Sequence, residues 1–173
     1  MFRATDERGF VTEYAHDPQT DAVIRMARDV NGLNIVSDTT VDEFGRTIET
    51  LGPQHDVDGQ QVRHATWTVH KNDFETWTGR GYVKSGGQKV LVNLVQIQRY
   101  STDDSVMESI SATRGQEVES VGQLLATDSF PQTSWTSWSQ TRTNEAGQKT
   151  ESRRWHDIPN NGDGAEDGIR DHA

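Results

Sequence analysis

The sequence predicts an all-β protein, an open antiparallel sheet made from a ribbon of β-hairpins with little or no helix. Three features support this prediction: apolar residues alternate with polar ones, threonine is abundant, and turn residues recur at short intervals. Hydrophobic residues make up only 31% of the 173 residues, yet five Trp, five Phe and three Tyr are present. Such a chain is typical of a sheet with a wet face, or of repeats that bury their apolar faces against one another.

Two segments carry the strand signal most clearly. Residues 90–94 form an apolar, β-branched run and residues 95–98 alternate apolar with polar, so together they predict one well-buried strand. Residues 65–70 also alternate, with Ala, Trp and Val on one face. The best helical spacing lies in residues 117–127, but Gly122 interrupts it. We therefore interpret the chain as mostly β.

The turns share a pattern in which an acidic or amide residue is followed three positions later by glycine. An Asp or Asn side chain at the start of a turn bonds the backbone further on, and Gly supplies the left-handed conformation that closes a short loop. Strand-like flanks surround the pattern, so we interpret it as tandem hairpins in a repeat array rather than a closed barrel. The five pairs are Asp6/Gly9, Asp29/Gly32, Asp42/Gly45, Asp56/Gly59 and Asn144/Gly147.

The charge balance argues against several partners. Lys plus Arg is 17 and Asp plus Glu is 27, which gives a formal net charge of −10. Nucleic acid binding needs a basic face, and docking on anionic lipid needs the same. No apolar run approaches the roughly 20 residues that span a bilayer, so we expect no membrane insertion. The first residues lack the apolar stretch of a signal peptide. Cysteine is absent, which excludes disulfides and cysteine-based metal sites.

Residues 9–23 resemble the YD repeat of RHS-type proteins. The segment from Gly9 to Asp17 has that repeat's spacing of Gly, Thr, Tyr and Tyr-Asp. His16 stands where the second Tyr is usual, and Asp21 stands where the repeat usually has Gly.

Two further segments are similar to the same repeat. Residues 40–46 resemble its D-x-x-G-R half, and residues 143–159 resemble a third unit, again with His before Asp. The resemblance is clearest over residues 9–53 and 138–164 and weak over residues 54–137. Its style is similar to that of RHS-like proteins of environmental bacteria such as planctomycetes.

The resemblance implies a structural role without a cofactor. In the family, successive hairpins line up into a long sheet that spirals into a hollow shell, in large secreted or cell-surface proteins, and some shells enclose a C-terminal toxin. The expected partners are neighbouring repeats of the same or a larger protein. The chain matches only a few repeats, so we expect a detached segment or a truncated frame. We divide it into YD-repeat-like hairpins (1–53), a divergent β-rich region (54–137), a YD-repeat-like hairpin (138–159) and an acidic, Gly-rich tail expected to be disordered (160–173).

Three His-Asp dipeptides are candidate catalytic or metal-binding groups: His16-Asp17, His55-Asp56 and His156-Asp157. A metal-dependent phosphohydrolase would need such a pair on a helix, with further His and Asp ligands from other helices. Two of the three pairs instead occupy the Tyr-Asp position of a repeat. We therefore expect these histidines to pack like Tyr, and we predict no catalytic residue and no metal ligand.

Tryptophan rings stack on sugars, so Trp135 and Trp138, together with Trp67 and Trp77, could form a carbohydrate-binding surface, and we take Trp135 and Trp138 as the candidate residues. In a sparse sheet the more frequent role of such residues is core packing. The carboxylates of residues 163–167 match a calcium loop poorly, and we expect a solvated linker there.

Three hypotheses follow from these residues. The first is a non-enzymatic structural segment of an RHS/YD-repeat protein at the cell surface or outside the cell. The alternative is a carbohydrate-binding β-module, which would need two exposed and coplanar Trp rings. The second alternative is an uncharacterised hydrolase that uses the His-Asp pairs.

Overall fold

A computed structural model describes residues 1–103, 105–155, 158 and 170–172. These residues contain no α-helix, only one short 3-10 turn at Gln132–Ser134, and the predicted all-β class is confirmed. The strands are β1 (Phe2–Thr5), β2 (Val11–His16), β3 (Val23–Arg28), β4 (Ile35–Val41), β5 (Thr47–Val57), β6 (Gln60–Asn72), β7 (Glu75–Lys84), β8 (Lys89–Tyr100), β9 (Val106–Ala112), β10 (Glu119–Val121), β11 (Trp135–Thr143), β12 (Lys149–Trp155) and β13 (Arg170–His172).

The strands form one open antiparallel sheet, as predicted, and their order in the sheet follows their order in the sequence. The path runs from β1 to β9 and then through β11, β12 and β13, while β10 pairs with β8 beside that path. Neighbouring strands that are consecutive in sequence are what short hairpin connections produce.

The chain divides into two compact units, and the first comprises residues 1–68, 80–90 and 121–123. Its core is small. Trp67 is the largest side chain in it and is only 2% exposed. The buried apolar residues of this unit are Val11, Ala27, Val62, Ala65, Trp67 and Val90.

The second unit comprises residues 69–79, 91–120 and 124–173, of which the structure describes the residues stated above. Its core is centred on β8, where alternate side chains are fully enclosed, so the predicted buried strand is confirmed. The buried apolar residues of this unit are Trp77, Leu91, Val95, Ile97, Ile110, Ala112, Leu124, Phe130, Trp138 and Trp155.

Aromatic contacts hold the second core together. Ile110, Trp138 and Trp155 are successive register partners across β9, β11 and β12. The Trp138 and Trp155 rings stack with centroids 3.9 Å apart at 11°. Trp77 meets Phe130 edge to face at 5.1 Å. Such pairs add about 0.5–1.5 kcal/mol each to the burial of the rings.

The helical spacing in residues 117–127 does not form a helix. Glu119–Val121 is strand β10. Gly122 follows it with a left-handed φ of 98°, and its N–H donates to the Lys89 carbonyl at 2.9 Å. Pairing with β8 therefore overrides a weak helical preference that Gly122 already reduces.

The predicted boundaries at residues 53, 137 and 159 describe repeat content, and that division stays a prediction. In the segment 160–173, only the backbone of Arg170–His172 lies among the described residues, where it pairs with β12 as β13. The candidate calcium-like carboxylates of residues 163–167 lie outside the described residues.

Candidate functional site

The recurring feature of the chain is a hairpin turn closed by an Asp or Asn side chain, here called the Asx turn and found at Asp6, Asp42 and Asn144. Around Asp42, the N–H groups two and four residues later donate to Oδ1 at 3.0 and 2.9 Å. Asp6 accepts the same two bonds at 2.9 Å each, and Asn144 accepts them at 3.0 and 2.9 Å. In each turn the N–H three residues later also donates to the first residue's carbonyl. Three distant segments therefore fold by one local rule.

Glycine at the fourth position of each Asx turn is required by the backbone. Gly9, Gly45 and Gly147 have φ angles of 85°, 77° and 73°, in the left-handed region that only glycine adopts without strain. The turn at residues 84–88 has the same backbone bonds and a left-handed Gly87 with φ 81°, but Lys84 stands where the Asx turn has its carboxylate or amide. The backbone geometry thus needs the glycine, and the Asx side chain adds to it.

The other two predicted pairs form different turns. Between β5 and β6 the loop has only two residues, Asp58 and Gly59, with φ 52° and 79°, and Asp56 Oδ1 accepts the Gly59 N–H at 2.8 Å. Asp29 itself has a left-handed φ of 52°, and its carboxylate accepts the Leu33 N–H at 2.9 Å. Acid-to-glycine spacing therefore predicts the position of a turn, while the surrounding residues select its type.

Hydrogen bonds lower the pKa values of two turn carboxylates. Burial alone would raise the pKa of Asp42, but hydrogen bonds from the Arg46 side chain and from the Arg46 and Phe44 backbone outweigh it and lower that pKa below its ordinary value. The N–H and hydroxyl of Thr20 lower the pKa of Asp17 in the same way. Both groups are therefore held as carboxylates by the turns that they close.

Asp103 is the most strongly perturbed of these carboxylates. The Ser101 and Ser105 hydroxyls donate to its Oδ1 at 2.5 and 2.8 Å, and the Ser105 N–H does so at 3.1 Å. These bonds lower the pKa of Asp103 to about 2. This group also serves a turn, between β8 and β9.

The His-Asp dipeptides do not form internal pairs where the structure describes them. His16 Nδ1 lies 2.9 Å from the Asp21 carbonyl oxygen, whereas Asp17 accepts bonds from its own turn. His55 Nδ1 contacts the Pro53 carbonyl at 3.2 Å. Both imidazoles thus contact backbone carbonyls close in sequence, and the Asp21 Oδ1 also lies 3.3 Å from His16 Nδ1. His156-Asp157 lies outside the described residues, and among those residues no three His, Asp or Glu side chains gather as metal ligands.

Trp135 and Trp138 do not form the exposed, coplanar pair that the carbohydrate alternative requires. Their rings meet edge to face at 71°, and Trp138 is only 5% exposed because it stacks on Trp155. Trp135 is half-buried, and the Arg99 guanidinium lies 5.4 Å from its ring centroid. Trp67 and Trp77 are buried as well, with their indole N–H groups bonded to Glu49 and Glu75. Trp67, Trp77 and Trp138 are therefore core residues, and Trp135 packs at the edge of Trp138.

A cavity of about 540 Å³ lies in the first unit, and sequence reasoning missed it. We call it the arginine cavity, because Arg25 from β3 and Arg63 from β6 both line it, with Asp38 from β4 between them. Arg63 Nη1 lies 2.7 Å from Asp38 Oδ2, and Arg25 Nη1 lies 3.5 Å from Asp38 Oδ1. No sequence motif connects these three residues, which only strand register brings together.

Comparisons with known proteins find no relative of the chain. A scan against protein-family models, a search of curated proteins and a search of solved structures all find no match to the chain. In the part of the chain that the structure describes, no helix is long and apolar enough to cross a membrane.

Proposed function

We propose that the chain is a non-enzymatic structural segment, a β-scaffold of the RHS/YD-repeat type. On this proposal its role is mechanical: hairpins pair side by side, and each one offers backbone donors and acceptors to the next. By the same resemblance, we place the protein at the cell surface or outside the cell, with neighbouring repeats as its partners.

The observation that carries the proposal is the Asx turn. The same bonds recur at Asp6, Asp42 and Asn144, each time between two consecutive strands of the sheet. A local turn that recurs along the sheet is what a repeat array would contain, because each unit of such an array folds by the same rule and contacts its sequence neighbours.

Asp21 gives the resemblance further support. It stands where the repeat usually has Gly, and its φ of 57° is left-handed. Asp is one of the few non-glycine residues that tolerate this conformation. A left-handed backbone is the conformation that a glycine at this position would favour, which is why we count it in support of the resemblance.

Hydrogen exchange on two matched variants tests the proposal. Gly45→Ala and Gly147→Ala strain the same turn in different hairpins, and Gly45→Ala also brings its methyl group to 3.2 Å from Thr20 Cβ. If the chain is a repeat array, Gly45→Ala accelerates exchange mainly in β4, β5 and their neighbours, and Gly147→Ala does so mainly in β11 and β12. Each variant is the control for the other. Equal acceleration of all amides by both variants would show one cooperative domain and contradict the array.

A further inference from the structure

We propose that the arginine cavity binds a small organic carboxylate that also carries hydroxyl groups. This inference rests on the geometry of the first unit and is independent of the proposed scaffold role. The arginine cavity has a volume of about 540 Å³, which falls within the range of small-molecule sites, about 300–1,000 Å³. The lining residues that matter for recognition are Arg25, Asn34, Asp38, Gln54, Gln61 and Arg63.

Arg63 forms the fixed wall of the cavity. Its Nε donates to the Gly52 carbonyl at 2.7 Å, and its Nη2 contacts the Leu51 and Val36 carbonyls at 3.2 and 3.4 Å. With the ion pair to Asp38 at 2.7 Å, four acceptors hold this guanidinium. A side chain fixed in this way has little rotamer freedom left to lose when a ligand binds.

A bulge in β5 provides the acceptors that hold Arg63. The register between β5 and β6 shifts between Leu51 and Gln54, so Gly52 and Pro53 lie outside the regular ladder. The Arg63 side chain bonds the carbonyls at this bulge. Bulges commonly redirect side chains in this manner next to functional sites.

The Arg25 guanidinium can still donate N–H groups to a ligand. The Arg25 side chain is 54% exposed, and its Nη1 lies 3.5 Å from Asp38 Oδ1. Asp38 is already bonded to Arg63 through its other oxygen, so one carboxylate faces two guanidinium groups. The three side chains carry a net charge of +1 in a protein whose net charge is −10. A single carboxylate completes this cluster, and the planar fork of Arg25 suits its two oxygens.

Amide side chains next to Arg63 in the sheet suit hydroxyl groups. Gln54 Nε2 donates to Gln61 Oε1 at 3.2 Å, and Gln61 Nε2 donates to Asp56 Oδ2 at 3.0 Å. This chain orients both amides while leaving the Gln54 carbonyl oxygen as an acceptor and one N–H of each amide as a donor. Asn34 adds a third amide to the lining. A ligand with hydroxyl groups beside its carboxylate can bond these groups.

The local charge favours a monoanion over a phosphate. A dianion would leave one negative charge uncompensated by the cluster, in the field of a protein with ten excess negative charges.

Two classes of compound have the expected chemistry, a free hydroxy acid and a uronate at the end of a saccharide. They share the carboxylate and its neighbouring hydroxyl groups.

Calorimetric titration of the full chain tests the inference. The probes are gluconate, methyl glucuronoside, the neutral methyl glucoside and inorganic phosphate. We expect saturable binding of one or both carboxylates. Tighter binding of gluconate would indicate a free hydroxy acid, and tighter binding of methyl glucuronoside would indicate a terminal uronate. We expect Arg25→Gln to weaken that binding about tenfold, the loss that corresponds to one charge-assisted hydrogen bond.

Arg3→Gln is the matched control, since Arg3 is 57% exposed and lies 3.9 Å from a carboxylate, Glu13, away from the cavity. We expect this variant to bind as the parent does, and circular dichroism checks that both variants keep the β-sheet. The inference is wrong if neither carboxylate binds, if the glucoside or phosphate binds as tightly, or if Arg25→Gln and Arg3→Gln have equal effects.

Discussion

At the scale of single residues, the left-handed glycines are the positions that the fold cannot exchange freely. Gly147 has φ 73°, and no atom lies within 4 Å of where a Cβ would stand, so any cost of Gly147→Ala comes from the backbone alone. We expect this variant to lose about 1–2 kcal/mol of unfolding free energy, measured by urea titration. Gly86 has equally open surroundings without a left-handed φ.

Gly86→Ala is therefore the control for Gly147→Ala. We expect it to leave the unfolding free energy unchanged within about 0.5 kcal/mol, because it adds a methyl group in open space. Equal losses from the two variants would mean that φ is not what requires glycine at position 147.

Asp103 makes the free energy of unfolding fall as the pH falls. Its pKa is about 2 in the folded chain against an ordinary 3.8, so the unfolded chain binds the proton more readily. The contribution of Asp103 is therefore complete above pH 3.8 and is lost as the pH falls toward 2. Because the pKa values of Asp17 and Asp42 are also lowered, they act in the same direction.

Urea unfolding from neutral to acid pH measures this dependence. We expect a flat midpoint at neutral pH and a decline below the ordinary carboxylate pKa. Asp103→Asn removes one titrating group and makes the decline shallower. A decline of unchanged steepness in Asp103→Asn would show that this carboxylate does not contribute.

At the scale of elements, the stability of the first unit's core depends on how closely β7 packs against β8 and the Trp67 ring. A Cβ at Gly81 would overlap the Val90 carbonyl oxygen and would lie 2.8 Å from the Trp67 ring. The obstacle is backbone, which cannot move aside as the end of a flexible side chain can. We expect Gly81→Ala to cost about 1–3 kcal/mol and to shift the tryptophan emission to longer wavelength as Trp67 becomes exposed.

Gly86→Ala, in the turn that follows β7, is again the control and should leave the emission unchanged. Retained stability together with unchanged emission in Gly81→Ala would show that β7 and β8 can separate at no cost. The close approach of strand and ring would then have no role in the stability of the first unit.

The elements also show which parts of the structure can be predicted from the sequence. Strand β8 was predictable because its Val- and Leu-rich run followed by strict alternation is the strongest apolar segment of a polar chain. Residues 117–127 were not, because helical spacing there competes with a pairing partner that only the fold supplies. The arginine cavity was not predictable either: Arg25, Asp38 and Arg63 come from three strands, and the bulge at Gly52 that orients Arg63 has no sequence signal beyond Gly-Pro.

At the scale of the whole molecule, an open sheet ends in an unpaired edge. Among the described strands, β1 pairs with β2 alone, and all four of its residues are exposed. The Asp6 N–H donates to Phe10, and alternation from that bond directs the Ala4 N–H toward β2 and the Arg3 and Thr5 N–H groups away from it. Unpaired groups of this kind invite another strand.

Net charge opposes that association. At −10, two copies repel each other, and salt screens the repulsion within about 8 Å at physiological ionic strength. We therefore expect the chain to be monomeric at low salt and to associate increasingly as salt is added, as measured by sedimentation velocity. Association that weakens with added salt would mean that ion pairs, rather than strand edges, join the copies.

Proline at the β1 edge separates strand pairing from other modes of association. Arg3→Pro removes an outward N–H while the ladder with β2 retains its bonds, because the Arg3 amide does not donate to β2. We expect this variant to keep its circular dichroism and to associate less at high salt. Arg3→Gln removes the same charge but keeps the N–H, so it should associate as the parent does. If Arg3→Pro associates as readily as Arg3→Gln, the copies do not join at β1, and this edge is not where the ladder extends.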